Sequence, residues 1–255
     1  MDPYITTRAC AGAVINQWWI ITAGHCVNCN ASKYTCPFTF NIRVGVVDSD
    51  STRGHNCGAA RVYPHPEYKP AEWEVKPDIA LIRVNTSIPF TDRLAITNVC
   101  LPARGLVNTG SEYAVTTGWG VTGEGRLSPR IRQMGWVRIV ATDPNLWPTN
   151  HTELIFGHIT PLTSGTAICA VQIEDCFLKI SRQLVTGDSG GPLVQYVSGR
   201  AVLIGVTAGP FYFNRSLYNN DCAVNYPHSV MGWTRVSIYI DWIIGVINNE
   251  THSGR

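Results

Sequence analysis

Charge is scarce in this sequence. Acidic and basic residues make up 15% of the 255 positions, they nearly cancel at a net +2, and no block of one sign forms. A nucleic-acid binder needs a basic stripe, and a protein held on an anionic membrane needs a polybasic segment, so neither partner is expected. Long hydrophobic runs are absent as well, none approaching the roughly 18 apolar residues of a membrane span. The chain has no internal repeat and no low-complexity segment. Its first residues, Met1-Asp2-Pro3, lack the basic opening of a secretory signal peptide.

Apolar residues are plentiful at 45%, enough for the interior of one large domain or of two small ones sharing a core. Nine cysteines are many for a cytosolic protein of this length, and Cys26-Val27-Asn28-Cys29 is a solitary pair without zinc-finger recurrence. A disulfide framework in an oxidising compartment fits better. Asn-x-Ser/Thr triplets at Asn30, Asn85, Asn150, Asn214 and Asn249 agree, and the expectation is a secreted, extracellular glycoprotein.

Short β-branched and aromatic runs are broken by Gly, Pro, Asn and Asp. They include Ile42 to Val47, Ile79 to Val84, Tyr113 to Thr117, Trp136 to Val140, Leu193 to Val197 and Ala201 to Val206. Runs of this length predict an all-β sandwich or a pair of barrels. The apolar stretch Ala11 to Gly24 carries Asn16 and Gln17 at its middle and reads as two core strands. Helical spacing emerges only at the end, where Ile238, Trp242, Ile243, Val246 and Ile247 predict one C-terminal helix. The loop-like segment Pro102 to Gly110 is either a join between two β halves or a long surface loop on one continuous domain.

Three segments carry chemistry: Ile21-Thr22-Ala23-Gly24-His25-Cys26, Asp78-Ile79-Ala80-Leu81-Ile82, and Gly187-Asp188-Ser189-Gly190-Gly191-Pro192-Leu193. Each alone reads as a structural histidine, a strand-opening aspartate or a glycine turn. Together they supply a base, an orienting carboxylate and a nucleophile. A serine hydroxyl attacks poorly until a base removes its proton, and an imidazole, with an ordinary pKa of about 6.5, suits that task. A buried carboxylate fixes the imidazole tautomer and stabilises its charged form. The glycines around Ser189 let the N–H groups of Gly187 and Ser189 converge as an oxyanion hole. Gly187-x-Ser189-x-Gly191 also satisfies the nucleophile-elbow pattern, but that fold places its acid and histidine after the serine. Only His228 and His252 follow Ser189, and alternating helices are absent, so the elbow is rejected.

These segments resemble the signatures of the trypsin and chymotrypsin family of serine proteases, and the likeness runs through nearly the whole chain. Cys10 and Cys26 sit like the family's disulfide beside the histidine, Cys100-Leu101-Pro102 resembles its inter-barrel segment, and Gly118-Trp119-Gly120 resembles the turn opening its second barrel. The resemblance implies one all-β peptidase domain of two six-stranded antiparallel barrels, at about residues 1–103 and 113–237, with a helix at about 238–249. It also implies a catalytic triad of His25, Asp78 and Ser189, and an acyl-enzyme mechanism on protein or peptide substrates. No metal or organic cofactor is implied; protease inhibitors are possible partners, and a monomer is expected.

The sequence also departs from the family pattern. Members activated from zymogens pair a freed Ile-Val-Gly-Gly-like amine with the aspartate before the nucleophile, which is Asp188 in this chain, and no such tetrad is present. The resemblance therefore predicts an upstream activating segment. The residue six positions before the nucleophile, on the pocket floor, is Gln183 where trypsin-like enzymes carry Asp, and Val185 replaces the usual Cys. The substrate-pairing strand resembles Val206-Thr207-Ala208-Gly209-Pro210, in which Pro210 has no N–H to give, and Met231 stands where glycine commonly lines the pocket. A strict preference for Lys or Arg is not expected; small or medium apolar side chains fit better. Beyond Cys10–Cys26, a local Cys29–Cys36 bond is plausible, Cys169, Cys176 and Cys222 compete, and Cys57 and Cys100 lack evident partners. The family often ties the residue resembling Cys100 to a propeptide cysteine. Two functions stay open: an active endopeptidase, supported by the complete triad, and a non-catalytic homologue, supported by the altered pocket and missing tetrad.

Overall fold

The computed structural model describes residues 10–27, 40–69, 77–91, 95–108, 112–120, 130–140, 154–160, 188–212 and 229–253. The first half is a five-stranded antiparallel sheet in the order β1-β2-β5-β4-β3 among the described residues. Its strands are β1 (Ala13–Asn16), β2 (Trp19–Thr22), β3 (Asn41–Val44), β4 (His55–Pro64) and β5 (Ala80–Val84). The stretch from Ala11 to Gly24 forms the β1–β2 hairpin, with Ala13 opposite Ile21 and the Asn16 Oδ1 accepting from Trp18 N at 2.8 Å. That side-chain bond closes the turn at the polar residues that interrupt the apolar run. β2 lies between β1 and β5, which explains why all four of its residues are buried.

The second half is a closed barrel in the order β10-β11-β8-β7-β6-β9. It comprises β6 (Tyr113–Gly118), β7 (Gln133–Val140), β8 (Leu154–Thr160), β9 (Pro192–Val197), β10 (Arg200–Tyr212) and β11 (Ser229–Arg235). Closure leaves no unpaired strand edge among the described residues of this half. The β9–β10 hairpin turns at Ser198 (φ 50°) and Gly199 (φ 76°), the paired positive angles that match the twist of the flanking strands.

One hydrophobic cluster joins the halves. Ile21, Ile79 and Leu81 from the first sheet meet Leu203 and Val206 from the barrel and Val236, Ile240 and Ile243 from the C-terminal segment. The segment after Cys100 crosses between the halves as a loop. Gly105 N donates to Ser237 O at 3.1 Å, and the Ser237 hydroxyl donates to Leu106 O at 2.7 Å. Nearby, Arg235 is buried and donates to Leu154 O at 3.0 Å and Asn108 Oδ1 at 3.3 Å.

A single helical turn, α1 (Gly24–Val27), follows β2, and the C-terminal helix, α2 (Ile240–Ser253), follows a 3-10 turn at Val236–Ile238. The helix therefore begins two residues after the expected start, with Ile238 exposed, and it extends past 249. Near its end the Glu250 carboxylate takes hydrogen bonds from Arg61 Nη1, at 2.6 Å, and from the Tyr63 hydroxyl, which anchors the last turns to β4.

Candidate active site

His25 sits on α1, at the end of the buried β2 strand. Asp78 lies just ahead of β5, the neighbour of β2, so strand pairing brings the two residues together across 53 positions of sequence. The Asp78 carboxylate grips His25 twice. Its Oδ2 is 2.6 Å from His25 Nδ1, and its Oδ1 accepts from the His25 backbone N at 2.8 Å. A neutral imidazole held this way keeps its proton on Nδ1 and leaves Nε2 as the basic atom. The barrel contributes a further hold: Thr234 on β11 donates its hydroxyl to Asp78 O at 3.0 Å. Gly24 permits the approach of Asp78, because a Cβ there would lie 2.9 Å from the Tyr68 ring and 3.2 Å from Asp78 Oδ1.

Ser189 is 3% exposed, in a tight turn just before β9. Its carbonyl accepts from Ala11 N at 2.8 Å and lies 3.5 Å from Cys26 Sγ, so the serine's backbone docks on the first half. Gly190 makes this contact feasible. It has φ +79°, and a Cβ on it would stand 2.2 Å from Thr22 Oγ1 and 2.5 Å from Ala11 O. Cys26 is bonded to Cys10, tying α1 to the segment that carries Ala11. His25 Nε2 is buried and makes no hydrogen bond among the described residues, so the Ser189–His25 bond is not formed in this structure.

The Asp188 carboxylate is seated in the Gly118-Trp119-Gly120 turn. Gly120 N donates to its Oδ1 at 2.6 Å. Side chains would fill this seat: a Cβ on Gly118 would be 1.8 Å from Oδ1 and one on Gly120 2.0 Å from Oδ2. Burial pushes the Asp188 carboxyl above its ordinary pKa, and the Gly120 N–H opposes that in part.

Other expected site residues are placed unevenly. Gly187 and Gln183 lie outside the described residues, as do Cys29, Cys36, Cys169, Cys176 and Cys222. Ala208 falls at a bulge in β10, and Pro210 pairs opposite Met231 of β11. Met231 packs against the barrel's interior cluster. Cys57 is a buried free thiol, pushed up in pKa by burial, and Cys100 is a half-buried free thiol. Asn85 and Asn249 are exposed; the triplets at Asn30, Asn150 and Asn214 lie outside the described residues. Cys10, His25 and Cys26 bring ligand-type atoms within 4.8 Å of one another, but the two sulfurs are bonded to each other and offer no thiolate to a metal. Sequence reading did not single out Ala11, Tyr68 or Thr234. Their contacts with the site cross long sequence separations and leave no local motif.

A curled antiparallel sheet beside a closed antiparallel barrel, with His25, Asp78 and Ser189 drawn to their junction, defines the class of trypsin-like folds. The family model described as Trypsin matches residues 3–243, and the chain belongs to this family of serine proteases. Phenoloxidase-activating enzyme 1 of Spodoptera litura is 27% identical over 258 residues, covering 95% of this chain and 60% of that protein. The chain thus spans about three-fifths of the length of that curated relative. Among solved structures, neuropsin, a serine protease expressed in the limbic system of mouse brain, superposes with a TM-score of 0.64 at 20% identity. That match covers 93% of this chain and 88% of the other, and supports the fold. No helix among the described residues is long and apolar enough to cross a membrane.

Proposed function

We propose that this chain is a secreted serine endopeptidase working through an acyl-enzyme. The observation carrying the proposal is the double grip of Asp78 on His25, on Nδ1 at 2.6 Å and on the backbone N at 2.8 Å. It orients a base whose free nitrogen, Nε2, is available to take the Ser189 proton. Ser189 Oγ attacks the scissile carbonyl while His25 Nε2 accepts its proton. Asp78 stabilises the imidazolium, and the N–H groups of Gly187 and Ser189 receive the oxyanion. His25 then protonates the departing amine, and water releases the acyl group by the same steps in reverse roles.

The same reading makes the chain one peptidase domain, its barrels divided at about residues 103 and 113. Asp188 is the acceptor for an α-amino group freed by zymogen cleavage. A buried carboxylate of raised pKa is the anion such a cation stabilises. Substrates present small or medium apolar side chains, because Gln183 supplies no carboxylate for a substrate cation and Met231 occupies space.

A second reading, a non-catalytic homologue, is favoured by the pocket sequence, where Gln183 stands in place of a carboxylate and Met231 in place of the usual glycine. Fluorophosphonate labelling decides between them. Covalent labelling of Ser189, lost in Ser189→Ala and strongly slowed in His25→Ala and Asp78→Ala, supports the endopeptidase. An unreactive Ser189 after proteolytic activation overturns it.

A further inference from the structure

We propose that the Asp48–Arg130 ion pair positions the Asp188 seat from outside the active site, a role that rests on reading Ser189 as the nucleophile. Trp119 and Arg132, in the described segments on either side of residues 121–129, are tied to one carbonyl of the first half. Val47 O accepts from Trp119 Nε1 at 3.1 Å and from Arg132 N at 2.7 Å. Next to it, Ser49 N donates to Arg130 O at 2.8 Å, and Asp48 bridges to Ile131. The Arg130 guanidinium then clasps the Asp48 carboxylate with Nε at 2.8 Å and Nη2 at 2.6 Å, while Asp50 stands 3.6 Å from Nε. Behind the clasp, Arg43 donates to the carbonyls of Ser49, at 2.9 Å, and of Ser51, holding the first-half loop in shape.

These bonds converge on Trp119. Its indole is fixed at Nε1 by Val47 O, and the Arg132 guanidinium lies 5.8 Å from its ring centre. Trp119 stands between Gly118 and Gly120, the two residues that seat Asp188 beside the nucleophile. A loosened clasp lets the indole and its two flanking glycines shift together. Arg130 is largely exposed, and exposed ion pairs contribute little, so the expected effect is a few-fold change. The two-pronged geometry places it at the upper end of that range.

The test uses Asp48→Asn, Arg130→Gln, and the charge swap combining Asp48→Arg with Arg130→Asp. Two readouts are taken: hydrogen exchange at the Gly120 amide, and the fluorophosphonate labelling rate of Ser189. Each single variant is expected to speed Gly120 exchange by about two- to fivefold and to slow labelling by a similar factor at an unchanged melting temperature. The swap is expected to recover most of both. Raising salt on the parent chain is expected to mimic the single variants, since an exposed pair is screened. Unchanged Gly120 exchange in both single variants overturns the proposal, and so does faster exchange with unaltered labelling. A parent chain that never labels refutes the nucleophile reading instead, while the exchange measurement still decides whether the clasp holds the seat.

Discussion

Replacing Gly118 with alanine is expected to unseat Asp188 and disable Ser189. The added Cβ would arrive 1.8 Å from Asp188 Oδ1, where real Cβ contacts almost never fall below 3.0 Å, so the carboxylate must retreat by about 1.2 Å. The Gly120 N–H to Oδ1 bond is 2.6 Å long, and a displacement of that size breaks it. A hydrogen bond to a charged acceptor contributes about 1.5–3 kcal/mol net. For a chain of this size that lowers the melting temperature by roughly 3–12 °C. Asp188 is joined to Ser189 by one peptide bond, so the same displacement tilts Ser189. A loss of 1.5–3 kcal/mol in the labelling transition state corresponds to about a 10- to 150-fold slower reaction. The assay is the second-order rate of fluorophosphonate labelling beside a thermal melt, with Gly245→Ala as the control for labelling because nothing lies within 4 Å of a Cβ there. A Gly118→Ala protein that labels at the parent's rate and melts within a degree of it would refute the reasoning.

The remaining predictions concern charge and helix propensity. Burial raises the folded pKa of Asp188, so its ionisation costs stability as pH rises through that value, and below the ordinary carboxylate range the cost is absent. Asp188→Asn is expected to melt above the parent at pH 7.5 and to converge with it near pH 3; a parent that melts higher at pH 7.5 would reveal a cation facing Asp188. Glu250 shows the opposite sign. The Tyr63 hydroxyl, then Arg61, hold its carboxyl below the usual range, so its stabilising effect is present above the ordinary carboxylate pKa and is lost as pH falls through the folded value. Glu250→Gln is expected to melt below the parent at pH 7, with the gap closing in acid; a constant gap across the titration would exclude the charge as its source. Gly245→Ala, in the middle of α2, is expected to stabilise by about 0.5–1 kcal/mol through helix propensity, read as a higher melting temperature at unchanged labelling.

Local sequence patterns announced some elements and concealed others. β2 and β5 are short apolar runs buried on both faces, and the pattern alone marks them. β4 is longer, yet His-Asn-Cys-Gly-Ala-Ala-Arg-Val-Tyr-Pro shows no clean alternation, because the strand bulges between Ala59 and Arg61 and lies largely at the surface. The C-terminal helix was legible from Trp242 to Ile247, where apolar residues pack on the central cluster. Its start was not, since Ile238 belongs to a 3-10 turn and its spacing only mimics a helical face. His25, Asp78 and Ser189 each sit in a recognisable string. What surrounds them is not local: Thr234 reaches Asp78 across 156 positions, and Gly120 reaches Asp188 across 68. The Gly118-Trp119-Gly120 segment could be read as a turn, but nothing nearby in the chain says that a distant carboxylate rests in it.

The two halves hold each other's candidate site residues. Ser189 belongs to the barrel, yet its carbonyl is bonded by Ala11 of the first half; Asp78 belongs to the first half, yet its carbonyl is bonded by Thr234 of the barrel. This crossed ownership means that the two halves cannot part like a pair of jaws. Any rigid-body parting would drag the serine and the aspartate away from their supports at the same moment, and would open the cluster where Leu81 meets Leu203.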